Sequence, residues 1–166
     1  MATASCSSLA STSSLRTNYA RFRHAIQFEL SNILRELLLI KEPTNLLEGH
    51  VRNNNFLKKN LRQREWNIIK NIGSNLYQDF DVSLMYKIIR NLNSIVQSPT
   101  KGWDNPTGPS VSEITIGDDI ERINRIRNDF AHRGNTKVIE SELANNFAIF
   151  KKIAMRFEVT ESLCHK

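Results

Sequence analysis

Apolar residues recur at three- and four-residue steps along most of this chain, and no other feature constrains its fold as strongly. The clearest stripe covers residues 18–41, and similar stripes cover 84–96, 116–130 and 143–157. This period places apolar side chains on one face of an α-helix. No segment alternates apolar and polar residues as a half-buried strand does. The sequence therefore predicts an all-α fold, a bundle of four long helices with short helices inserted.

Turn and capping residues set the predicted limits of these helices. Pro43 should end the first helix, and Asp81 should cap the one after the Asn-rich stretch 44–72, where two or three short helices are expected. Residues 98–113 are rich in Pro and Gly and predict a long loop. An aromatic residue in such a loop usually packs on the core, which is the role expected for Trp103.

The ends of the chain have a different composition from the middle. Residues 1–17 are rich in Ser and Thr and contain no acid, which favours a disordered tail over an organellar transit peptide. We therefore predict one folded domain over residues 18–158, preceded by the tail 1–17 and followed by a short tail over 159–166.

Composition excludes several classes of protein. The 23 Lys and Arg residues outnumber the 17 acids, and the formal charge of +6 favours anionic partners, RNA among them. Cys6 and Cys164 lie far apart and lack the spacing of a metal site. No P-loop or dinucleotide motif occurs, and the longest apolar run is too short to cross a bilayer. We expect a soluble cytoplasmic protein with no cofactor, no metal and no membrane association.

The adjacent acids Asp118 and Asp119 follow Thr115 in the order of a capping box. Two neighbouring carboxylates could bind a metal ion. Acids in the first turn of a helix also complement the helix dipole, and this structural role is the one we favour.

The segment RNDFAH, residues 127–132, carries the chemistry that the sequence offers. At about 100° per residue, Arg127 falls inside the apolar stripe of its helix. A buried guanidinium is costly unless it meets a carboxylate, backbone carbonyls or an anion. Asn128 and His132 are four residues apart on a separate polar ridge and can touch.

His132 lies in the last turn of the predicted helix, where the dipole stabilises a protonated imidazole. With an RNA substrate, this imidazole could move the proton of a ribose 2′-hydroxyl or of the leaving oxygen, while an arginine stabilises the charged phosphorus centre. The alternative is a histidine that merely ends the helix, beside an arginine paired with neighbouring acids. Spacing alone favours this alternative.

RNDFAH resembles the Arg-x4-6-His motif of the HEPN superfamily, in which a polar residue such as Asn follows the Arg. The segments NYARF, DVSLMYKIIRN, KGWD and IGDDIERINRIRN are similar, in this order, to the HEPN branch found in the DAZ-interacting zinc-finger E3 ubiquitin ligase and its invertebrate relatives. The resemblance covers about residues 18–158.

The resemblance implies a helical domain, commonly a homodimer in which two motifs face one cleft. Many such domains are endoribonucleases that need no metal ion and leave 2′,3′-cyclic phosphate ends. On this basis Arg127 would contact the scissile phosphate, His132 would act as acid or base, and Asn128 would orient His132. Other members are non-catalytic dimerisation or adaptor modules in innate-immune or stress signalling. For such a member, a partner would be a longer HEPN-containing paralogue.

Geometry limits the nuclease interpretation. Arg127 and His132 point about 140° apart on a regular helix. They can act on one phosphate only if the last turn relaxes or a second copy supplies one of them.

Overall fold

The computed structural model describes the backbone of residues 4–164 and the side chains of residues 12–158. No strand occurs among residues 4–164, and the all-α prediction is confirmed. The helices are α1 (Ala4–His24), α2 (Leu30–Lys41), α3 (Thr44–Asn53), α4 (Asn55–Asn60), α5 (Gln63–Lys70), α6 (Ile72–Asn75), α7 (Val82–Asn91), α8 (Ile116–Ala131) and α9 (Glu140–Cys164).

The first apolar stripe forms one continuous helical rod. A π-helical segment, Ala25–Glu29, joins α1 to α2 without a turn, and the rod ends at Lys41, just before the predicted stop at Pro43. Its most buried side chains, Leu30, Leu34 and Leu38, have no exposed surface. The rod supplies the centre of the core because α2 packs against both α7 and α9.

The first helix begins at Ala4, so the start predicted at residue 18 is wrong. Periodicity detects only helices that bury an apolar face, and most side chains over residues 12–17 are exposed. No Pro or Gly breaks this stretch. The last helix likewise runs beyond residue 158. The limits 18–158 for the domain stay a prediction, and residues 1–3 and 165–166 lie outside the described residues.

Helices α7 and α9 both pack on α8, whose C-terminal end carries Arg127, Asn128 and His132. Helix α7 packs on α8, α8 packs on α9, and α9 also contacts α1. The predicted loop connects α7 to α8, and Trp103 is partly buried in it with its ring edge-on to Tyr86 at 5.7 Å between centroids. The prediction that Trp103 packs on the core is confirmed. Arg90 forms an ion pair with Asp104 that also fastens this loop to α7.

The start of α8 is fixed by the predicted capping box. The Thr115 hydroxyl accepts a hydrogen bond from the Asp118 amide at 3.1 Å, and the Asp118 carboxylate accepts one from the Thr115 amide at 3.0 Å. Asp118 also accepts hydrogen bonds from the Thr100 amide and hydroxyl at 2.7 and 2.8 Å. Burial alone would raise the pKa of Asp118, but the hydrogen bonds from Thr115 and Thr100 outweigh it and hold the pKa below its ordinary value.

Asp119 joins α8 to α9 through two arginines. Its carboxylate, with no exposed surface, accepts hydrogen bonds from Arg156 Nε and Nη2 at 2.6 Å each and from Arg122 Nη1 at 2.6 Å. The two hydrogen bonds from Arg156 fix both the distance and the orientation of its guanidinium relative to Asp119. Both acids therefore have structural partners. No group of three or more metal-ligating side chains occurs among the described residues.

Gly117 lets the loop cross the first turn of α8. A Cβ at this position would collide with the Gln97 carbonyl oxygen and would lie 2.8 Å from the Pro99 nitrogen, both of them backbone atoms. Backbone atoms cannot move aside as a flexible side chain can. The position of the loop on α8 thus requires a residue without a side chain.

We expect Gly117→Ala to lower the free energy of unfolding by roughly 1–3 kcal/mol, because the added methyl group forces the loop off the helix. Gly49→Ala is the control, since Gly49 lies in α3 and a methyl group added there would have no heavy atom within 4 Å. Gly49→Ala should raise the free energy of unfolding by about 0.5–1 kcal/mol. Urea denaturation of the three proteins measures both effects. Equal stability of Gly117→Ala and wild type would show that the loop does not pack there.

We expect Asp118→Asn to destabilise the protein by roughly 1 kcal/mol at pH 7 and by much less at pH 3. A carboxyl whose folded-state pKa lies below its ordinary value of 3.8 contributes stability above that value and loses it as the pH falls through the folded-state pKa. Urea denaturation at both pH values measures the gap between variant and wild type. A gap that stays constant on acidification would contradict the assignment.

Candidate functional site

The predicted motif residues lie at the C-terminal end of α8. Arg127 and Asn128 occupy its last two turns, and His132 is the residue that caps it. The helix is held in place upstream by Ile120 and Ile123, whose side chains have no exposed surface. Downstream, rings from α1 hold it, since Phe130 stacks on Tyr19 at 4.8 Å and meets Phe22 edge-on at 5.2 Å. The motif therefore sits on a rigid element, which favours precise placement of its side chains.

Arg127 is half-buried, as its position in the apolar stripe predicted. Its Nη1 donates a hydrogen bond to Asn128 Oδ1 at 2.9 Å. Among the described residues, no carboxylate forms an ion pair with it. An amide oxygen satisfies one N–H but carries no net charge, so the charge of Arg127 is not balanced by this contact.

The other two arginines of α8, and the arginine that follows its C-cap, do have acidic partners. Each of them lies within 4 Å of a carboxylate. These pairs are Arg122 with Asp119 at 2.6 Å, Arg125 with Glu121 at 3.3 Å and Arg133 with Glu142 at 2.5 Å. The structural alternative for the motif required an Arg127 paired with neighbouring acids, and the described residues do not provide one.

Asn128 contacts a different residue from the one expected. Its side chain was expected to orient His132, yet Oδ1 accepts the hydrogen bond from Arg127. The link to His132 runs through the backbone, where the His132 amide donates to the Asn128 carbonyl at 2.9 Å. The Asn128 side chain can reach both Arg127, the adjacent residue, and His132, four positions further on. The charged guanidinium of Arg127 is the stronger hydrogen-bond donor of the two. In this arrangement Asn128 positions Arg127.

His132 is exposed, and within residues 12–158 its imidazole has no hydrogen bond or ion pair. Its backbone angles, φ −94° and ψ 6°, differ from those of a regular helix. The chain thus leaves the helical path at this residue. The imidazole is therefore accessible from solvent.

Arg133 is a nearby group that the sequence did not single out. Its Nη2 donates to Glu142 at 2.5 Å, but its Nη1 is buried and has no hydrogen-bond partner among the described residues. It lines a small cavity of about 130 Å³ beside Asp129 and Phe130. The only signal in the sequence was its position directly after His132. The hydrogen bond from Arg133 to Glu142 secures the chain that follows the motif to α9.

Comparison with known proteins assigns the chain to a family. A family model described as DZIP3/hRUL138-like HEPN matches residues 36–163, which include α8 and all three motif residues. No curated protein matches, and no solved structure matches. Every helix in the described part of the chain is too short or too polar to span a bilayer. The matched region covers well over half of the sequence and contains the motif, and the chain therefore belongs to the HEPN family of the DZIP3/hRUL138-like type.

Proposed function

We propose that this HEPN domain binds RNA and cleaves it without a metal ion, acting as a homodimer through Arg127, Asn128 and His132. One observation carries the proposal. Arg127 is half-buried at a fixed place on α8 and no carboxylate among the described residues pairs with it. A guanidinium in this state is ready to bind a phosphate, whereas its neighbours on the helix are occupied by acids.

The proposed reaction is an internal transfer at phosphorus. The 2′-oxygen of a ribose bonds to the adjacent phosphorus, and the bond from phosphorus to the 5′-oxygen of the next nucleotide breaks. The 2′-hydroxyl loses a proton and the leaving 5′-oxygen gains one, which yields a 2′,3′-cyclic phosphate and a free 5′-hydroxyl. Arg127 stabilises the negative charge at phosphorus, Asn128 holds Arg127, and His132 performs one of the two proton transfers.

The second proton transfer is the reason to propose a dimer. A single exposed imidazole occurs in the motif, and two transfers on opposite sides of the phosphorus need two groups. A second copy, related by a two-fold axis, would bring another His132 to the same cleft. This arrangement also removes the angular conflict between Arg127 and His132 on one helix.

Exposed apolar side chains support a second candidate function, a non-catalytic dimerisation or adaptor module in innate-immune or stress signalling. Phe28, Leu46 and Phe56 are 53%, 46% and 50% exposed. Apolar side chains that are exposed to water are stabilised when a partner covers them. In this candidate the partner is a longer HEPN-containing paralogue. A cytoplasmic location stays a prediction for both candidates.

We expect the purified protein to cleave single-stranded RNA in the presence of EDTA, and His132→Ala to lower the rate by about 10²–10⁴-fold. Arg127→Ala should lower it by about 10²–10³-fold, because the charge on phosphorus loses its stabilising partner. Both variants should stay folded by circular dichroism. Analysis of the products should find 2′,3′-cyclic phosphate ends.

Matched controls for these variants are Arg64→Ala and His24→Ala, which remove exposed side chains of the same types outside the motif. Both controls should cleave at the wild-type rate. Equal rates for wild type and the two motif variants would identify a contaminating nuclease. No cleavage by any of the proteins would favour the adaptor.

We expect multi-angle light scattering at micromolar concentration to give twice the 19.1 kDa mass of the chain. The reason is that the proposed cleavage draws one proton-transfer group from each copy. A monomer that cleaves RNA would disprove the shared cleft while leaving Arg127 and His132 in place. A monomer without activity would leave the enzyme proposal without support.

A further inference from the structure

The positive charge of the chain is concentrated in one short segment. Residues 52–70 contain six Lys and Arg residues and one acid, whereas the rest of the chain contains 17 Lys and Arg residues and 16 acids. Almost all of the formal charge of +6 therefore comes from this segment. It runs from the end of α3 through α4 and α5. Elsewhere the two signs balance, as they do on an ordinary solvated surface.

Buried apolar side chains orient the segment so that its cations point outward. Leu57 has no exposed surface, and Leu61, four residues later, is 8% exposed. Ile69 of α5 also has no exposed surface. Five cations of the segment are exposed and form what we call the basic surface: Lys58, Lys59, Arg62, Arg64 and Lys70.

The chain itself keeps these cations close together. Lys58 and Arg64 are six residues apart, so even a fully extended chain could separate their Cα atoms by only about 20 Å. Helices α4 and α5 both pack on α3, which holds them in one part of the domain. Like charges at such distances repel one another. A partner with many negative charges would remove this repulsion.

Glu65, the acid of this segment, is paired with a cation outside it. Its carboxylate accepts a hydrogen bond from Lys87 of α7 at 2.7 Å and one from the Arg62 amide at 2.6 Å. These contacts outweigh the effect of burial and hold the pKa of Glu65 below its ordinary value. Within residues 12–158, no carboxylate forms an ion pair with a member of the basic surface. The five charges therefore face solvent unbalanced.

Two features of the segment disfavour RNA as the partner. Recognition of single-stranded RNA depends on aromatic rings that stack on bases and on polar groups that bond to base edges. The guanidinium of Arg52 covers one face of the Trp66 ring, with its Cζ 5.3 Å from the ring centroid. The amide of Gln63 already donates to Asn67 at 3.0 Å. The basic surface thus offers charge with few of the groups that read bases.

Phe56 supplies an apolar group beside the cations. It is 50% exposed and lies one turn before Lys59 on α4. Clusters of about four to eight Lys and Arg residues are typical of surfaces that bind anionic lipids, and a neighbouring aromatic ring can enter the boundary with the acyl chains. The charge of a bilayer is spread over many headgroups. Flexible cations without a fixed partner suit this charge better than a fixed set of carboxylates on a protein.

We propose that the basic surface attaches this domain to a bilayer that contains anionic phospholipids. Its lysines and arginines lie against the headgroups, and the Phe56 ring enters the boundary between headgroups and acyl chains. The sequence predicts no membrane association because no apolar run can cross a bilayer, but attachment to the surface of a bilayer requires no such run. The proposal is independent of RNA cleavage, since Arg127, Asn128 and His132 lie at the end of α8.

Sedimentation of the full chain with lipid vesicles tests the proposal. Vesicles of phosphatidylcholine with about one third phosphatidylserine should bind the protein, and vesicles of phosphatidylcholine alone should not. The double variant Lys58→Gln, Lys59→Gln should lower the partition coefficient about 30-fold. The matched control is Lys151→Gln, Lys152→Gln, which removes the same charge from two adjacent exposed lysines of α9 and should leave binding unchanged.

A second pair of variants tests the aromatic group. Phe56→Ala should lower the partition coefficient by about three- to tenfold, because the ring no longer leaves water on binding. Phe28→Ala is the control, since Phe28 is 53% exposed but lies in the π-helical segment, outside the basic surface. Circular dichroism should show that both variants stay folded.

Raising the salt concentration from about 0.1 to 0.5 M should release most of the protein from the vesicles, because salt shortens the range of electrostatic attraction. The proposal is overturned if salt has no effect, if the two double variants bind alike, or if anionic vesicles bind no better than neutral ones. It is also overturned if polyglutamate, or a single-stranded RNA methylated at its 2′-hydroxyls, binds more tightly than the vesicles and loses that affinity when Lys58 and Lys59 are replaced.

Discussion

The position of α8 depends on two buried carboxylates in its first turn. Asp118 ties the helix start to the loop through Thr100, and Asp119 ties it to α9 through Arg156. Carboxylates buried in this way persist only when they are hydrogen-bonded or paired with a cation. Asp118 accepts hydrogen bonds from Thr100 and Thr115, and Asp119 pairs with Arg122 and Arg156. The motif residues Arg127, Asn128 and His132 lie downstream on the same helix, so a loss of these contacts would move the motif.

Against this rigid frame, Arg127 has an unusual environment. It is half-buried in the apolar stripe of α8, where an unbalanced charge is unfavourable, yet its hydrogen bond among the described residues goes to an uncharged amide oxygen. Proteins tolerate such a cost most often where a ligand completes the pairing. The exposed His132 near the same end of α8 is consistent with that ligand being an RNA phosphate.

Local features of the fold could be predicted because they depend on neighbouring residues. The capping box of Thr115 and Asp118 and the cap at Asp81 are both present, since each needs only residues three positions apart. The half-burial of Arg127 followed from the helical period. The start of α1 could not be found, because its first residues lack an apolar stripe to mark them.

Features that depend on distant contacts could not be predicted. The hydrogen bond that the Asn128 side chain accepts from Arg127 is one example, since two donors lay within its reach and the sequence does not rank them. Another example is the pairing of Arg122 and Arg156 with the one carboxylate of Asp119, which needs α9 to lie alongside α8 and joins residues 34 positions apart in the sequence.

The central claim is that Arg127 is there to bind an anion. Nuclear magnetic resonance of the labelled protein can follow the Nε–H signal of Arg127, assigned with Arg127→Lys, during titration with an RNA dinucleotide methylated at its 2′-hydroxyl. The account predicts a saturable shift of this signal and of the His132 ring signals. An Arg127 signal that stays unchanged while the dinucleotide binds elsewhere would contradict it.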